Sequence, residues 1–340
     1  PSNGSFSSCG AVVYFSAPGC AWWVNPWKRV KTPILDAIAD AAPDADVTYS
    51  GNSDEANPFR PYTDQEIADA VDAAAKAEVA IVVVHQMAGE DGDLKSLSLS
   101  NAGTMANPFA KVPNNQDMLV QRVAAANRNT IVIVESGNPV LMPWIGKVSA
   151  VLQAWYPGEN GGKAIANILF GKVNPSGRLP VTFPVSDDQT PTLGKDFIPD
   201  PDYAEKLGVG YRWYDANRLQ PLFEFGYGLS YTDFAYSGLR VDSASDGTRT
   251  VSFSVKNTGK VAGKETPQVY IEFPASAGEP PRRLAGWDKV DLQPGASKTV
   301  SMRISPKMQS IWDSAASQWK FVGASKVLVG ASSRQMKLEL

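Results

Sequence analysis

Three carboxylates crowd into five residues in the first half of the chain, directly after a run of apolar residues. The segment Val79–Leu99 reads VAIVVVHQMAGEDGDLKSLSL, and its acidic part, GEDGD, occupies positions 89–93. The apolar residues predict a buried strand that ends near Val84, so the acidic loop leaves a sheet where open α/β sheets carry functional loops. A carboxyl group in such a loop can serve as a general acid or base. The alternative is that all three carboxylates lie on a solvated turn.

Few other residues of the chain could do chemistry. His85 is the single histidine, and its place in an apolar strand favours a core histidine over a member of a Ser-His-Asp or Cys-His triad. No H-E-x-x-H or C-x-x-C spacing occurs, so the sequence predicts neither a metal site nor any other cofactor. Neither G-x-G-x-x-G nor G-x-x-x-x-G-K-[ST] occurs, so no loop for binding a nucleotide is expected.

Composition and charge exclude two classes of partner. The chain has 340 residues, a length that suits two domains, and a net charge of −3 with acidic and basic residues mixed throughout. Because there is no basic stripe, we expect no nucleic acid partner. No apolar run reaches the ~18 residues of a membrane span, so we expect no insertion into a membrane.

The two cysteines leave two interpretations open. Cys9 and Cys20 flank a short apolar segment and are either free buried thiols or a disulfide. A disulfide would indicate an oxidising compartment.

The first half of the chain alternates strand and helix patterns. Apolar runs predict strands at Ala11–Phe15, Val47–Tyr49, Ala80–Val84, Thr130–Val134 and Ala150–Trp155. Helices are predicted at Pro33–Ala42, Thr63–Ala77, Asp117–Ala126 and Gly161–Leu169. Thr32 and Thr63 are the expected N-caps, and Glu66 completes a capping box with Thr63. Unbroken apolar strands between helices predict an α/β sandwich with a mostly parallel sheet covered on both faces.

The pattern changes after Asn174. Residues 186–236 are rich in Pro, Gly and aromatic residues and predict an extended connector. From 237 onward the alternation has period two, in TRTVSFSVKNTG, TPQVYIEF, SKTVSMRIS and SKVLVGAS. This period predicts an all-β, immunoglobulin-like sandwich. The predicted domains are therefore 1–185, 186–236 and 237–340.

Several ordered stretches resemble glycoside hydrolase family 3, the β-glucosidase family. GEDGDLKSLSL resembles the family's G-E-G-x-D-R-x-x-L-x-L, and VPNNQDMLV resembles the L-P-x-x-Q-x-x-L that follows it. The blocks VIVESGNPVLMPW, VLQAWYPGENGGKAIANILFGKVNPSGRLPVTFP, VGYRWYD and PLFEFGYGLSYTDF are similar to the family in the same order. VSFSVKNTGKVAGKETPQVYIEFP resembles the fibronectin type III-like domain that closes such enzymes. The resemblance extends from about Gly10 to Leu340.

The resemblance implies a part of a retaining exo-β-glycosidase, whose chemistry needs a carboxylate nucleophile and a carboxylic acid about 5 Å apart. In the family the nucleophilic Asp lies in a (β/α)8 barrel, and nothing in this chain resembles that barrel. The expected partners are therefore a barrel segment with the nucleophile and a β-linked oligosaccharide or glucoside. A homodimer is a further expectation, since the surface that the barrel normally covers would be exposed and apolar.

The resemblance assigns the general acid/base to the acidic loop. Matching Leu97 and Leu99 to the motif's leucines places the family's acid/base at Glu90, and Asp93 then falls on the motif's Asp. Asp93 either orients the loop or faces solvent. Leu94 stands where the motif has Arg, which removes a cation that could pair with Asp93.

Three further features carry open alternatives. The insertion Asn101–Val112 separates the two motifs and either shapes the aglycone side of the site or is a surface bulge. Glu135 ends a strand beside a glycine and either lines the site or has a structural hydrogen-bonding role. Trp22, Trp23 and Trp27 either stack on sugar or pack in a core.

The leading hypothesis is a β-glucosidase that acts on terminal non-reducing β-D-glucosyl residues. A β-xylosidase or related exo-glycosidase of the family is one alternative, and a non-catalytic carbohydrate-binding or scaffold protein without the barrel is another. Glu90 favours catalysis, because a scaffold has no need of it. The resemblance also leads us to expect a secreted or periplasmic protein with a Cys9–Cys20 disulfide.

Overall fold

A computed structural model of the chain describes residues 34–51, 60–86, 94–100, 114–191 and 203–340. The chain divides into two compact units, one of residues 1–173 and 185–201 and the other of residues 174–184 and 202–340. The predicted strand Ala11–Phe15, the expected cap Thr32 and both cysteines lie outside the described residues. The domain boundaries derived from the sequence stay a prediction. Within the described ranges, no helix is both long and apolar enough to span a membrane.

A parallel three-stranded sheet organises the first unit. Its strands are β1 (Ala80–His85), β2 (Thr130–Glu135) and β3 (Ala150–Gln153), with β2 in the centre. The strands are rich in Val and Ile, whose branched side chains pack well on a pleated surface. Because the strands are parallel and in register, the ends of β1 and β2 lie side by side, with His85 paired to Glu135.

Four α-helices of the described residues accompany this sheet. They are α1 (Ile34–Ala41), α2 (Asp64–Lys76), α3 (Gln116–Ala126) and α4 (Gly161–Leu169). Helices α1 and α4 pack together on one side of the sheet, where Ile34, Ile38 and Ile165 form a core with Ile133 of β2. Helix α3 contacts α2, β1 and β2. The predicted α/β sandwich with a parallel sheet is confirmed.

One predicted strand and the predicted end of another are wrong. Residues 47–49 were expected to form a strand, but they have no strand pairing among the described residues, and Val47 packs instead against the α1–α4 core. Strand β3 was expected to reach Trp155 but ends at Gln153. Trp155 has a φ of 55°, a left-handed conformation that cannot continue a strand.

The second unit is built mainly of antiparallel strands. One sheet has the order β10-β5-β4, another has the order β14-β13-β7-β8, and two further pairs are β6-β9 and β11-β12. The strands are β4 (Phe234–Ser243), β5 (Arg249–Asn257), β6 (Gly263–Glu265), β7 (Gln268–Glu272), β8 (Arg283–Trp287), β9 (Val290–Leu292), β10 (Ser297–Ile304), β11 (Ser310–Asp313), β12 (Gln318–Phe321), β13 (Lys326–Gly330) and β14 (Met336–Glu339).

A single apolar cluster fills this second unit. Alternate residues of β5 and β10, including Val251, Phe253 and Val300, are buried together with Val269 and Val327 of the four-stranded sheet. The predicted all-β sandwich is confirmed. The described part of the segment predicted as an extended connector includes a short α-helix, α5 (Tyr211–Ala216), which belongs to this unit.

The capping box predicted at the start of α2 is present and is reinforced by an ion pair. The Thr63 side chain accepts a hydrogen bond from the Glu66 amide, and the Glu66 carboxylate accepts one from the Thr63 amide. Arg60 donates two hydrogen bonds to the same carboxylate, at 2.7 and 2.6 Å. These bonds, that to Arg60 above all, lower the pKa of Glu66 to about 2.

We expect Glu66→Gln to destabilise the first unit and to flatten its acid sensitivity. Because the folded-state pKa of Glu66 lies below its ordinary value, its stabilising charge is fully present above pH 4.5 and is lost as the pH falls toward 2. Urea denaturation should show a loss on the order of 1–3 kcal/mol at neutral pH. Glu78→Gln, at an exposed glutamate, is the matched control and should change neither the stability nor its pH dependence. Equal curves for the two variants would contradict the prediction.

Candidate active site

The predicted acid/base Glu90 and its neighbour Asp93 lie outside the described residues, so their roles stay predictions. The structure describes the two ends of the segment that carries them. One end is His85 and Gln86, at the carboxyl end of β1, and the other is the return segment Leu94–Ser100. Both ends belong to the first unit and are fixed by side chains from elsewhere in it.

The amide side chain of Gln116 holds the end of β1. Its Oε1 accepts a hydrogen bond from the His85 amide at 2.9 Å, and its Nε2 donates to the His85 carbonyl at 2.8 Å. The side chain thus makes the two bonds that a neighbouring strand would make, which satisfies backbone groups at the point where the strand ends. The next residue, Gln86, donates its backbone amide to the carbonyl of Glu135 at 2.9 Å. The last two described residues before the acidic segment, His85 and Gln86, are therefore fixed by hydrogen bonds.

Within the return segment, residues 96–100 alternate strictly between serine and leucine. Leu97 and Leu99 are buried, as is Leu94 before them. Ser96, Ser98 and Ser100 lie between and beside these leucines and donate their hydroxyls to two aspartates. Each leucine of the family-like motif thus anchors the segment in the core, while the serines make the polar contacts.

Asp117 is the first of these aspartates and sits in the first turn of α3, next to Gln116. Its Oδ2 accepts hydrogen bonds from the hydroxyls of Ser98 and Ser100, both at 3.0 Å. Its Oδ1 accepts the indole N–H of the fully buried Trp144 at 2.8 Å. The Asp117 carboxylate is 9% exposed, so these three bonds replace most of the water that would otherwise solvate its charge.

Asp187 is the second aspartate and reaches the return segment from far along the chain. It begins the short 3-10 turn Asp187–Gln189. Its Oδ2 accepts the hydroxyl of Ser96 at 2.6 Å, and its Oδ1 accepts the backbone amide of Leu97 at 2.9 Å. A third contact comes from Gln86, whose side chain donates to the Leu97 carbonyl at 3.2 Å. This last bond joins the entering and leaving ends of the acidic segment directly.

Glu135 lies at the end of β2, beside the point where β1 gives way to the acidic loop. Its side chain is 1% exposed, and the residue pairs in register with His85. Whether its carboxylate lines the site or supports the sheet stays a prediction.

His85 is the half-buried last residue of β1, and its interpretation as a core histidine stays a prediction. Burial lowers its pKa to about 4, so the imidazole is neutral at physiological pH. Within the described part of the chain, no three His, Cys, Asp or Glu side chains are grouped so that they could hold a metal ion.

Three residues that fix the segment were not singled out from the sequence. Gln116 belongs to a family-like motif, but its contact with β1 could not be read from that motif. Asp117 and Asp187 reach the serines only because the fold brings distant segments together. The alternation of serine with leucine in SLSLS was the available signal, because a polar residue at every second position on a buried segment needs polar partners.

Comparisons with known protein families agree with this picture. Residues 11–231 match the family described as glycosyl hydrolase family 3 C-terminal domain. Residues 265–333 match the fibronectin type III-like domain. The first match contains both the parallel sheet and the segment with the acidic loop, and the second lies within the β-rich unit.

Individual relatives are similar over most of this chain but are much longer. A β-glucosidase of Rhizobium radiobacter is 36% identical over 81% of the chain, which covers 34% of that protein. Thermostable β-glucosidase B of Acetivibrio thermocellus is 38% identical over 80% of the chain, covering 36% of that protein. The crystal structure of a Streptomyces venezuelae β-glucosidase in complex with D-glucose superposes with a TM-score of 0.73 at 38% identity, over 82% of this chain and 35% of the other. The chain thus spans about a third of the length of these relatives.

We expect His85 to titrate with a pKa near 4 and to destabilise the folded state in acid. Because this pKa lies below the ordinary value of 6.5, the unfolded chain binds the proton first. The free energy of unfolding should therefore be full above pH 6.5 and fall as the pH is lowered toward 4, by on the order of 3 kcal/mol.

The measurement is direct, since His85 is the only histidine and its imidazole proton resonances need no assignment. A matched His85→Asn variant should lose this part of the acid sensitivity in urea denaturation. An NMR titration with a midpoint near 6.5 would contradict the buried, neutral assignment.

Proposed function

Since the chain belongs to glycoside hydrolase family 3, we propose that it forms part of a retaining exo-β-glycosidase, specifically a β-glucosidase, and supplies its general acid/base, Glu90. One observation carries the assignment to Glu90. The motif leucines Leu97 and Leu99 are buried and the segment around them is fixed to two aspartates, so the register that assigns Glu90 has a physical basis. The names of the relatives, β-glucosidases in each case, support the choice of glucosides as substrates.

Retaining hydrolysis gives the acid/base two tasks. A carboxylic acid first protonates the leaving glycosidic oxygen while a carboxylate about 5 Å away attacks the anomeric carbon. The same group, now a carboxylate, then removes a proton from the water that releases the sugar. A carboxyl group on a loop at the carboxyl end of β1, held at both ends, is suited to these two tasks.

The nucleophile is expected on a barrel segment. The chain covers about a third of its β-glucosidase relatives, which leaves ample length in those proteins for a second catalytic segment. We propose that such a segment carries the nucleophilic Asp and joins this chain in the active enzyme, either in one polypeptide or as a partner. Secretion, with a disulfide between Cys9 and Cys20, is proposed on the same family grounds.

We expect Glu90→Gln in the complete enzyme to affect substrates according to their leaving groups. Aryl β-glucosides with poor leaving groups should lose ~10²–10⁴-fold in kcat/KM, because their departure needs the proton. Those with good leaving groups should be far less affected at the glycosylation step, and added azide should partly restore turnover by attacking the glycosyl-enzyme. Asp93→Asn is the matched control within the same loop. A mild loss that is equal for all leaving groups would remove Glu90 from the role, and a leaving-group effect in Asp93→Asn would transfer it to Asp93.

We expect residues 1–340 alone to fold but to hydrolyse no aryl β-glucoside above background. Both units have their own apolar cores, but general acid catalysis cannot replace a missing nucleophile because no covalent intermediate can form. Adding the barrel segment should restore activity when Glu90 is intact and should fail to do so with Glu90→Gln. A chain that binds sugar but stays inactive with the barrel would indicate the scaffold function. Robust hydrolysis by the purified chain, with no second polypeptide on a gel, would show that the nucleophile has been misplaced.

A further inference from the structure

We propose that the hairpin formed by β11 and β12 in the second unit carries a binding site for β-linked glucose chains. This site deepens the proposed function and rests on it for the class of sugar. Three large aromatic side chains of the hairpin, Trp312, Trp319 and Phe321, are 52, 50 and 54% exposed. Single exposed apolar side chains are common on protein surfaces, but a group of three on one short hairpin indicates a surface that contacts a ligand.

The strand register places the three rings on one face of the hairpin. Trp312 pairs directly with Trp319 across the two strands. Phe321 follows Trp319 by two residues, so its side chain leaves the same face, roughly 6.6 Å further along the strand. The opposite face carries Ile311, which packs against the apolar cluster of the unit. The aromatic face, made of Trp312, Trp319 and Phe321, is therefore the one that points to solvent.

The arrangement of the rings suits a sugar. The ring centres of Trp312 and Trp319 are 5.7 Å apart and their planes meet at 74°, and the Lys307 ammonium lies 5.2 Å from the centre of the Trp319 ring. The half exposure of both tryptophans leaves ring surface for a ligand. A β-glucosyl unit has equatorial hydroxyls and presents C–H groups on both faces, so it can pack on an aromatic ring. A lysine ammonium beside that ring can donate hydrogen bonds to the hydroxyls.

Hydrogen bonds to the backbone fix the hairpin at its base and at its turn. The carbonyl of the fully buried Gln309 accepts the amides of Val322 and Gly323 at 3.2 and 3.1 Å. The Gln309 side chain donates to the Gly247 carbonyl at 2.9 Å. At the turn, Asp313 Oδ1 accepts two backbone amides at 3.0 and 3.1 Å. Because the hairpin is ordered before any ligand arrives, binding costs it little conformational entropy.

The area and the charge of the aromatic face favour a sugar chain over a macromolecular partner. Since an aromatic side chain buries about 150–250 Å², three half-exposed rings offer roughly 200–400 Å². Each partner in a stable protein pair buries about 800 Å². Nucleic acids and anionic membranes bind through clusters of basic residues, but the charges of the hairpin, Asp313 and Lys320, balance each other. A neutral chain of sugar units fits both the area and the charge.

The test measures binding and does not depend on hydrolysis. The 340-residue chain is run in native gels that contain hydroxyethylcellulose, a soluble β-linked glucan, and the Kd for cellohexaose is measured by calorimetry. The double variant Trp312→Ala/Trp319→Ala removes two rings, and Phe321→Ala removes the third and leaves the tryptophan pair. Trp287→Ala is the matched control, because Trp287 is 67% exposed on β8, in another sheet of the same unit. Urea denaturation checks that each variant is folded.

The β-glucan should retard the wild type and Trp287→Ala equally. The double variant should bind cellohexaose on the order of 10-fold more weakly, and Phe321→Ala roughly 3-fold more weakly. If the double variant does not fold, Phe321→Ala decides by the same criterion. A wild type that is not retarded, hairpin variants that bind like the wild type, or an equal loss in Trp287→Ala would each overturn the site. Stronger binding of an α-linked glucan, a single-stranded oligonucleotide or anionic vesicles through the same rings would do so as well.

Glu90→Gln in the complete enzyme separates this site from the proposed function. A leaving-group effect in that variant, without binding of the β-glucan by the hairpin, removes only the hairpin site. Binding that depends on the aromatic face, in an enzyme without that effect, supports the hairpin site and removes only the role of Glu90.

Discussion

The nearly buried carboxylate of Asp117 is the constraint on which the described part of the site depends. A charge that has left water must have hydrogen-bond donors, and here they come from two serines of the return segment and from an indole in the core. The requirement works in both directions. The carboxylate orders the serines, and the serines stabilise an acidic residue in the buried first turn of α3. Acidic residues also suit the first turn of a helix, where the backbone amides point toward them.

In the second unit, arginine side chains, and not neutral donors, pair with the buried carboxylates. Glu265 is paired with Arg178 at 2.5 Å, and Asp215 lies between Arg282 and Arg334 at 3.1 and 3.2 Å. These ion pairs tie sequence-distant loops to the β-sandwich through cations. In the first unit, neutral groups donate to Asp117 and Asp187: serine hydroxyls, an indole N–H and a backbone amide. Neutral donors solvate these two carboxylates without cancelling their negative charge.

The predictable features are those that depend on neighbours in the sequence. The capping box of Thr63 and Glu66, the apolar strands β1, β2 and β3 and the period-two runs of the second unit follow from local spacing, and the structure contains them. The wrong end of β3 has a local cause as well, the left-handed backbone at Trp155, but nothing in the residue type signals it. The partners of the SLSLS segment could not be predicted, because Asp187 is about 90 positions away and meets Ser96 only in the folded unit.

Leu94 stands where the family motif has Arg, so a buried apolar side chain takes the place of a charged one. An arginine would have paired with a carboxylate of the acidic loop, but an exposed ion pair contributes at most about 1 kcal/mol and is weakened by salt. Leu94 is 6% exposed instead, and burial of a leucine side chain contributes roughly 1.5–3 kcal/mol. The side chain at position 94 is therefore an apolar anchor and not a cation. Apolar burial of Leu94, Leu97 and Leu99 acts together with the hydrogen bonds of the serines to fix the return segment Leu94–Ser100.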